Sequence, residues 1–167
     1  MEKSGFFNSS GGDRVYDAAD FAAYFGSLVS NGVFYAAATN LQVSPGTGLA
    51  VSVAAGSAWI NGYRYENTDA RNMPLATASG SNPRIDRVVV RLSIISRNIQ
   101  LAIVTGTPAP NPVAPALTRT SDVYELGIAD VLVPAAATSI VANNITDTRL
   151  NTSLCGLVNS LVSAVYE

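Results

Sequence analysis

The segment 84–92 (RIDRVVVRL) restricts the fold of this 167-residue chain more than any other feature. Val88, Val90 and Leu92 fall on one side of a two-residue alternation, the period of a β-strand with an apolar face. Several short apolar runs separated by Gly, Pro and Asn lie before and after it, and no helix-sized segment divides them. The sequence therefore predicts a mainly β fold with antiparallel sheets, in a β-sandwich or jelly-roll-like domain.

The dipeptide Asn61-Gly62 predicts a hairpin, because Asn-Gly between apolar and aromatic residues is typical of a two-residue type I′ turn. Such a turn pairs Ile60 with Tyr63, Trp59 with Arg64, and Ala58 with Tyr65. Trp59 and Arg64 then share a face of the sheet. There they form a structural cation–π contact or, alternatively, hold a ligand sugar against the indole ring.

A second hairpin is predicted to begin with the strand of segment 84–92. Its outgoing strand places Val88, Val90, Leu92 and Ile94 on one face, and the return strand places Ile99, Leu101 and Ile103 on one face. A loop of Arg97 and Asn98 brings the two sets together, pairing Ile94 with Leu101 and Leu92 with Ile103. A three-residue loop would bring Gln100 and Ala102 to that face instead, so an even-numbered loop is favoured.

The stretch 105–120 carries four prolines, which remove ladder donors and favour an extended, polyproline-like segment. We expect it to cross between two sheets, as the long connection of a Greek key does. After it, residues 124–133 predict another apolar strand that ends at Pro134. Ile140, Val141 and Ile145 indicate one or two short closing strands.

Helical periodicity appears near both ends of the chain. Residues 1–16 predict a flexible arm, and a helix follows from Asp17, its N-cap, to Ser30, with Gly32 as its stop. Its apolar stripe is Phe21, Tyr24, Phe25 and Leu28. We therefore divide one folded unit into 1–33 (arm and helix), 34–150 (β-domain) and 151–167 (C-terminal helix or oligomerisation segment).

The segment 151–167 predicts a short C-terminal helix, because its apolar residues recur at three- and four-residue spacings. Only Glu167 is charged, so this helix needs either the sheets or copies of itself as a partner. The residues predicted to form an oligomer surface are Leu154, Leu157, Val158, Leu161, Val162 and Val165.

Composition narrows the class of function. Charged residues make up 13% of the chain and hydrophobic residues 48%, with a net charge of −2. The ten Lys and Arg residues are scattered rather than gathered in a stripe, which argues against nucleic-acid binding. No apolar run reaches the roughly 20 residues of a membrane span, and the N-terminus lacks the apolar core of a signal peptide. The low charge indicates that another chain covers part of the surface.

The residues offer little for catalysis. Histidine is absent from the sequence, so catalytic triads and histidine-based zinc sites are excluded. The single cysteine, Cys155, is expected to be buried and structural. A glycosidase pair could come from Asp86, Glu125, Asp130 and Asp147, but each has a plausible Arg partner, which makes a carboxylate a poor proton donor. We predict no catalytic residue, no metal and no cofactor.

An ordered series of motifs resembles baseplate and tail-tip structural proteins of long-tailed phages and prophages of Gram-positive bacteria. The series comprises GDRVY (12–16), ADF (19–21), NGVF (31–34), LQV (41–43), GSAWINGY (56–63), RIDRVVVRL (84–92), YEL (124–126), IADV (128–131), ITDTR (145–149) and CG (155–156). It spans most of the chain. Larger members of the family carry a fibre or host-binding domain after this module.

The resemblance implies a β-sandwich like the shoulder region of phage receptor-binding proteins, acting in the virion as a non-enzymatic attachment module. Its expected partners are further copies, with a homotrimer favoured, and other tail or baseplate proteins. The residues assigned to structural ion pairs are Arg84, Asp86, Arg87, Asp147 and Arg149.

The alternative function is a carbohydrate-binding module for host cell-wall polysaccharide, with a stacking surface of Trp59, Tyr63, Arg64 and Tyr65. The third and least favoured hypothesis is that the chain is an enzyme.

Overall fold

The computed structural model describes residues 5–35 and 37–162. These contain one α-helix, a short 3₁₀ turn and ten strands. In chain order they are α1 (Ala18–Leu28), β1 (Gly32–Val33), β2 (Val43–Pro45), β3 (Ala50–Val53), β4 (Gly56–Ile60), β5 (Tyr63–Asn67), β6 (Arg71–Pro74), β7 (Arg84–Ser93), β8 (Asn98–Val104), β9 (Val123–Val133), the 3₁₀ turn (Ala142–Asn144) and β10 (Ile145–Asp147). No helix of this described part is long and apolar enough to span a membrane.

The strands form three sheets, with orders β1-β4-β5, β10-β9-β7-β8 and β2-β3-β6, and every pairing within them is antiparallel. The prediction of a mainly β, antiparallel fold is confirmed. All three sheets contribute to one apolar core, which includes Val51 of β3, Ile60 of β4, Val90 of β7 and Leu126 of β9. These side chains are at most 1% exposed.

The first hairpin, β4–β5, has the predicted register, with Ile60 opposite Tyr63 and Trp59 opposite Arg64. Asn61 and Gly62 have φ values of 50° and 84°, both in the left-handed region that a type I′ turn requires. Gly62 also lies against the backbone of Ala22 in α1, where a Cβ atom would collide. The turn therefore positions the helix as well as the strands.

The predicted register of the second hairpin is wrong by four residues. Val88 pairs with Ile103, Val90 with Leu101 and Leu92 with Ile99, around a four-residue turn at 94–97. The strand ends early because the N–H of Ile94 donates to the carbonyl of Asp122 at 2.8 Å. A shift of four keeps the side-chain alternation, so the two apolar sets still share the core face.

The stretch 105–120, here called the proline-rich crossing, contains no strand except an isolated bridge at Arg119. The expectation that it joins two sheets is wrong. It leaves β8 and enters β9, which lie on either side of β7 in the same sheet. The crossing therefore covers the outer face of that sheet, and Val89 on this face is fully buried. Of the three residues expected in closing strands after β9, Ile145 lies in strand β10, whereas Ile140 and Val141 lie in no strand.

Helix α1 begins as predicted, since the Asp17 carboxylate accepts from the N–H groups of Ala19 and Asp20 at 2.8 and 3.1 Å. The Asp20 carboxylate in turn accepts from the Asp17 N–H at 3.0 Å, which completes a capping box. The helix ends at Leu28 rather than Ser30, because the Ser30 N–H donates to the carbonyl of Asn159. Gly32, the predicted stop, lies in β1 instead.

The predicted C-terminal helix is not found in 151–162, where turns and isolated bridges occur. A turn at 151–155 is closed by bonds from the N–H groups of Leu154 and Cys155 to the Asn151 carbonyl, but the rest of the segment bonds to distant residues: the Leu154 carbonyl accepts from Gly127, and Val158 donates to Val33. Such nonlocal bonds are incompatible with a helical ladder. Val165 lies outside the described residues.

Candidate functional site

Four arginine–carboxylate pairs hold the loops to the four-stranded sheet β10-β9-β7-β8, here called the central sheet, and we call these pairs the ionic framework. They are Arg84–Asp86, Arg87–Asp130, Arg91–Glu125 and Asp147–Arg149, with closest nitrogen–oxygen distances of 2.9, 2.6, 2.6 and 2.6 Å. In each pair, at least one partner also bonds a backbone group of a loop. The framework therefore joins the side chains of the strands to the backbone of the connections.

The pair Arg84–Asp86 closes one end of the core. Both residues lie on the core face of β7, and their side chains are 4% and 0% exposed. Asp86 also accepts from the N–H of Gly106 at 2.9 Å, at the start of the proline-rich crossing. Arg84 donates to the carbonyls of Ala76 and Thr77. The two buried charges are therefore matched with each other, and both are also hydrogen-bonded to the backbone of loops.

The outer face of the same sheet carries two cross-strand pairs. Arg87 lies opposite Asp130 and Arg91 opposite Glu125. The Arg87 guanidinium also donates to the carbonyl of Pro115 at 2.6 Å. Both pairs are thus connected to the proline-rich crossing, because the second carboxylate oxygen of Glu125 accepts from the Thr118 N–H at 2.7 Å.

Asp147 and Arg149 form the fourth pair at the end of β10. The guanidinium of Arg149 also donates to the carbonyls of Ala38 and Asn40, at 2.9 and 2.6 Å. Hydrogen bonds from the Arg149 side chain lower the pKa of the Asp147 carboxyl below its ordinary value. This pair fastens the loop before β2 to the end of the central sheet.

The sequence alone assigned five of these residues and left three partners out of the predicted set: Arg91, Glu125 and Asp130. Arg84 and Asp86 are two residues apart in β7, so strand alternation places them on one side. Asp147 and Arg149 are also two residues apart, but Arg149 lies in the turn that follows β10. The partners of Arg87 and Arg91 are 43 and 34 positions away. Only the register of β7 with β9 brings them together.

The four residues of the predicted sugar-stacking surface are divided between two faces of the first hairpin. Trp59 packs edge-on against Phe25 and Phe34, with ring centroids 5.9 and 6.3 Å apart. Arg64 lies opposite Trp59 but forms an ion pair with Glu66 at 2.8 Å. Among the described residues, the buried indole N–H of Trp59 has no hydrogen-bond acceptor.

The two tyrosines of that set point the other way, toward the core. Tyr63 is half-buried, and Tyr65 is 9% exposed. Burial raises the pKa of the Tyr65 phenol, and the charge of Arg71 opposes this change. The four residues therefore do not form one surface.

A cleft of about 580 Å³ lies between the start of α1, strand β5 and the turn of the second hairpin. Its floor is apolar, with Leu92 and Ile99, and its polar groups include Tyr63, Arg64 and Asn98. Arg64 and Tyr63 are thus the two residues of the predicted sugar-binding set that share a cavity.

Helix α1 exposes most of its apolar stripe, since Ala22 is its one buried residue. The ring of Phe6 in the arm lies over this stripe, 5.6 Å from Phe21 and 4.9 Å from Tyr24. Tyr24 in turn lies 5.7 Å from Phe25. We call the resulting surface the aromatic face; with the neighbouring arm residue it comprises Phe6, Phe7, Phe21, Tyr24 and Phe25.

The predicted oligomer surface of the tail is largely used within the chain. Leu154, Leu157 and Val158 are half-buried, and Leu157 forms a bridge with Val33. Leu161 and Val162 are 39% and 48% exposed. The Leu161 N–H donates to the carbonyl of Leu28, so these two residues lie near the end of α1.

Cys155 is buried, as predicted, and burial raises the pKa of its thiol to about 12. Within residues 5–35 and 37–162, no cluster of three or more acidic, Cys or His side chains is arranged to hold a metal ion. No protein-family model matches the chain, and neither the curated proteins nor the solved structures give a match.

Proposed function

We propose that this chain is a non-enzymatic structural protein of a phage tail baseplate or tail tip, and that it serves as an attachment or assembly module of the host-adsorption apparatus. The observation that carries the proposal is the ionic framework. All four carboxylates that could have formed an acid–base pair are bonded to arginine, and each pair also bonds the backbone of a loop. Such an arrangement suits a rigid building block rather than a reaction.

The identity as a tail component comes from the ordered motif series, in which the framework residues stand. RIDRVVVRL contains three of the arginines and Asp86, YEL contains Glu125, IADV contains Asp130, and ITDTR contains Asp147 and Arg149. The motifs that resemble the family are therefore the ones that fix the shape of this chain. We further propose that the three sheets pack as a sandwich, since one core joins them.

The test is to purify particles from bacteria that carry this gene in a phage or prophage, and to quantify the chain in them by mass spectrometry. We expect the measurement to detect the chain in intact tails, with several copies in each tail. A homotrimer is the favoured arrangement of those copies. Particles that are complete and infective without the chain would contradict the proposal.

A second candidate function is binding of host cell-wall polysaccharide. The cleft favours it, because Tyr63 offers an aromatic group beside the hydrogen-bonding side chains of Arg64 and Asn98. Calorimetric titration of the chain with purified cell-wall polysaccharide tests it, with Tyr63→Ala and Asn98→Ala as variants. Heat of binding that both variants abolish supports the candidate. A stable monomer with such affinity would favour it over the structural role.

A further inference from the structure

The aromatic face is unusual for a free surface. Its five side chains are between 42% and 59% exposed, although they are among the largest apolar groups of the chain. Four of the rings form a continuous row from the arm across α1. The hydroxyl of Tyr16 accepts from the N–H of Phe7 at 2.9 Å, which closes the arm on itself, and the Phe6 ring packs against Phe21 and Tyr24 of the helix. The row is therefore a built surface rather than a set of isolated side chains.

The size of this surface matches the apolar part of a protein–protein interface. Roughly half of five aromatic side chains, at about 200 Å² each, amounts to about 500 Å². A stable interface of ordinary size buries about 800 Å² per partner, of which about 60% is non-polar. The aromatic face thus supplies nearly all the apolar area that one partner contributes.

Charge favours a second copy of the chain as that partner. Two copies meet with little repulsion, because the net charge is only −2. The arm carries both signs beside the face, with Asp13 and Arg14, and the Arg14 guanidinium lies 5.4 Å from the Phe7 ring centroid. The carboxylates nearest the helix start, Asp17 and Asp20, are occupied in the capping box. The face therefore offers no strong charge that selects a basic or acidic partner.

We propose that the aromatic face is the surface through which copies of this chain associate. The choice of a second copy as occupant rests on the proposed structural function. This contact differs from the tail surface expected from the sequence, since it is formed by the arm and α1.

The experiment is sedimentation equilibrium of the full chain over the micromolar range, against a monomer mass of 17.4 kDa. The wild type is expected to self-associate, and the double variant Phe21→Ala with Tyr24→Ala is expected to raise the dissociation constant about 100-fold or more. The matched control truncates two exposed apolar residues elsewhere, Ile95→Ala and Val113→Ala, and should leave the mass unchanged. Circular dichroism shows that each variant is folded, and Phe21→Lys gives a second, charged test of the same face.

Two results would overturn the inference. One is a wild type that stays monomeric over the whole range; the other is an oligomer that neither Phe21→Lys nor the double variant weakens. Neither result decides the proposed function, which is tested by the presence of the chain in intact tails. Conversely, an oligomer broken by these variants supports the contact even where the chain is missing from the particles.

Discussion

Replacing Asp86 by alanine tests the ionic framework at its most buried point. The variant leaves the Arg84 guanidinium, 4% exposed, without its counter-charge. Removing one partner of a buried ion pair costs about 3–5 kcal/mol. The N–H of Gly106 also loses its acceptor, which adds about 1–3 kcal/mol if it stays buried. The expected loss is thus a large share of the roughly 5–15 kcal/mol that stabilises an ordinary domain.

The chain contains its own control for this experiment. Arg64 and Glu66 form an ion pair of similar length, 2.8 Å, with side chains 57% and 48% exposed. Glu66→Ala should therefore cost less than about 1 kcal/mol. The assay is urea unfolding followed by circular dichroism, with the free energy of unfolding extrapolated to water. An Asp86→Ala variant that loses no more stability than Glu66→Ala would refute the reasoning.

A double variant separates charge from loop attachment. Arg84→Met with Asp86→Leu removes both charges, and an apolar replacement of a buried pair is often neutral. Here the carbonyls of Ala76 and Thr77 also lose their donor, so the double variant should recover only part of the loss. Wild-type stability in the double variant would show that the loop bonds contribute nothing.

Three further predictions follow from single sites. Cys155 should react with a thiol reagent only after unfolding, because burial raises its pKa to about 12; rapid labelling of the native protein would contradict this. Arg149 lowers the pKa of Asp147 below its ordinary value of 3.8. The ionised carboxylate therefore stabilises the fold at pH values above 3.8, and this contribution is lost as the pH falls below it. Asp147→Asn should therefore reduce the difference in unfolding free energy between about pH 7 and about pH 3, measured by urea titration. Gly62→Ala should cost more than about 1 kcal/mol, from its left-handed φ and the collision with Ala22; a melting temperature equal to that of wild type would contradict this.

Local features of the sequence were predicted best. The Asn61-Gly62 turn depends on the φ preferences of two adjacent residues, and these fixed both the turn and the pairing of β4 with β5. The N-cap at Asp17, which was also predicted, is equally local. The side-chain alternation of β7 was also predictable, although its pairing with β8 was predicted four residues out of register because the bond between Ile94 and Asp122 is not visible in the sequence.

The structural features that the sequence did not predict depend on contacts between residues far apart in the chain. The tail from Leu154 to Val162 has helical spacing, but its backbone bonds with Val33 and Gly127, more than 20 positions away, determine its structure. The cross-strand partners of Arg87 and Arg91 depend on the register of β7 with β9, which contains a bulge next to Val88. The exposure of the aromatic face was unpredictable for the same reason, since an apolar stripe normally indicates burial in the core.

We propose a structural role for this chain in the baseplate or tip of a phage tail. Electron microscopy of intact particles labelled with gold-conjugated antibodies against the chain is the decisive test. We expect label at the distal end of the tail, on most particles, and loss of that label when the gene is deleted. Particles with no label, or with label on the head alone, would contradict it.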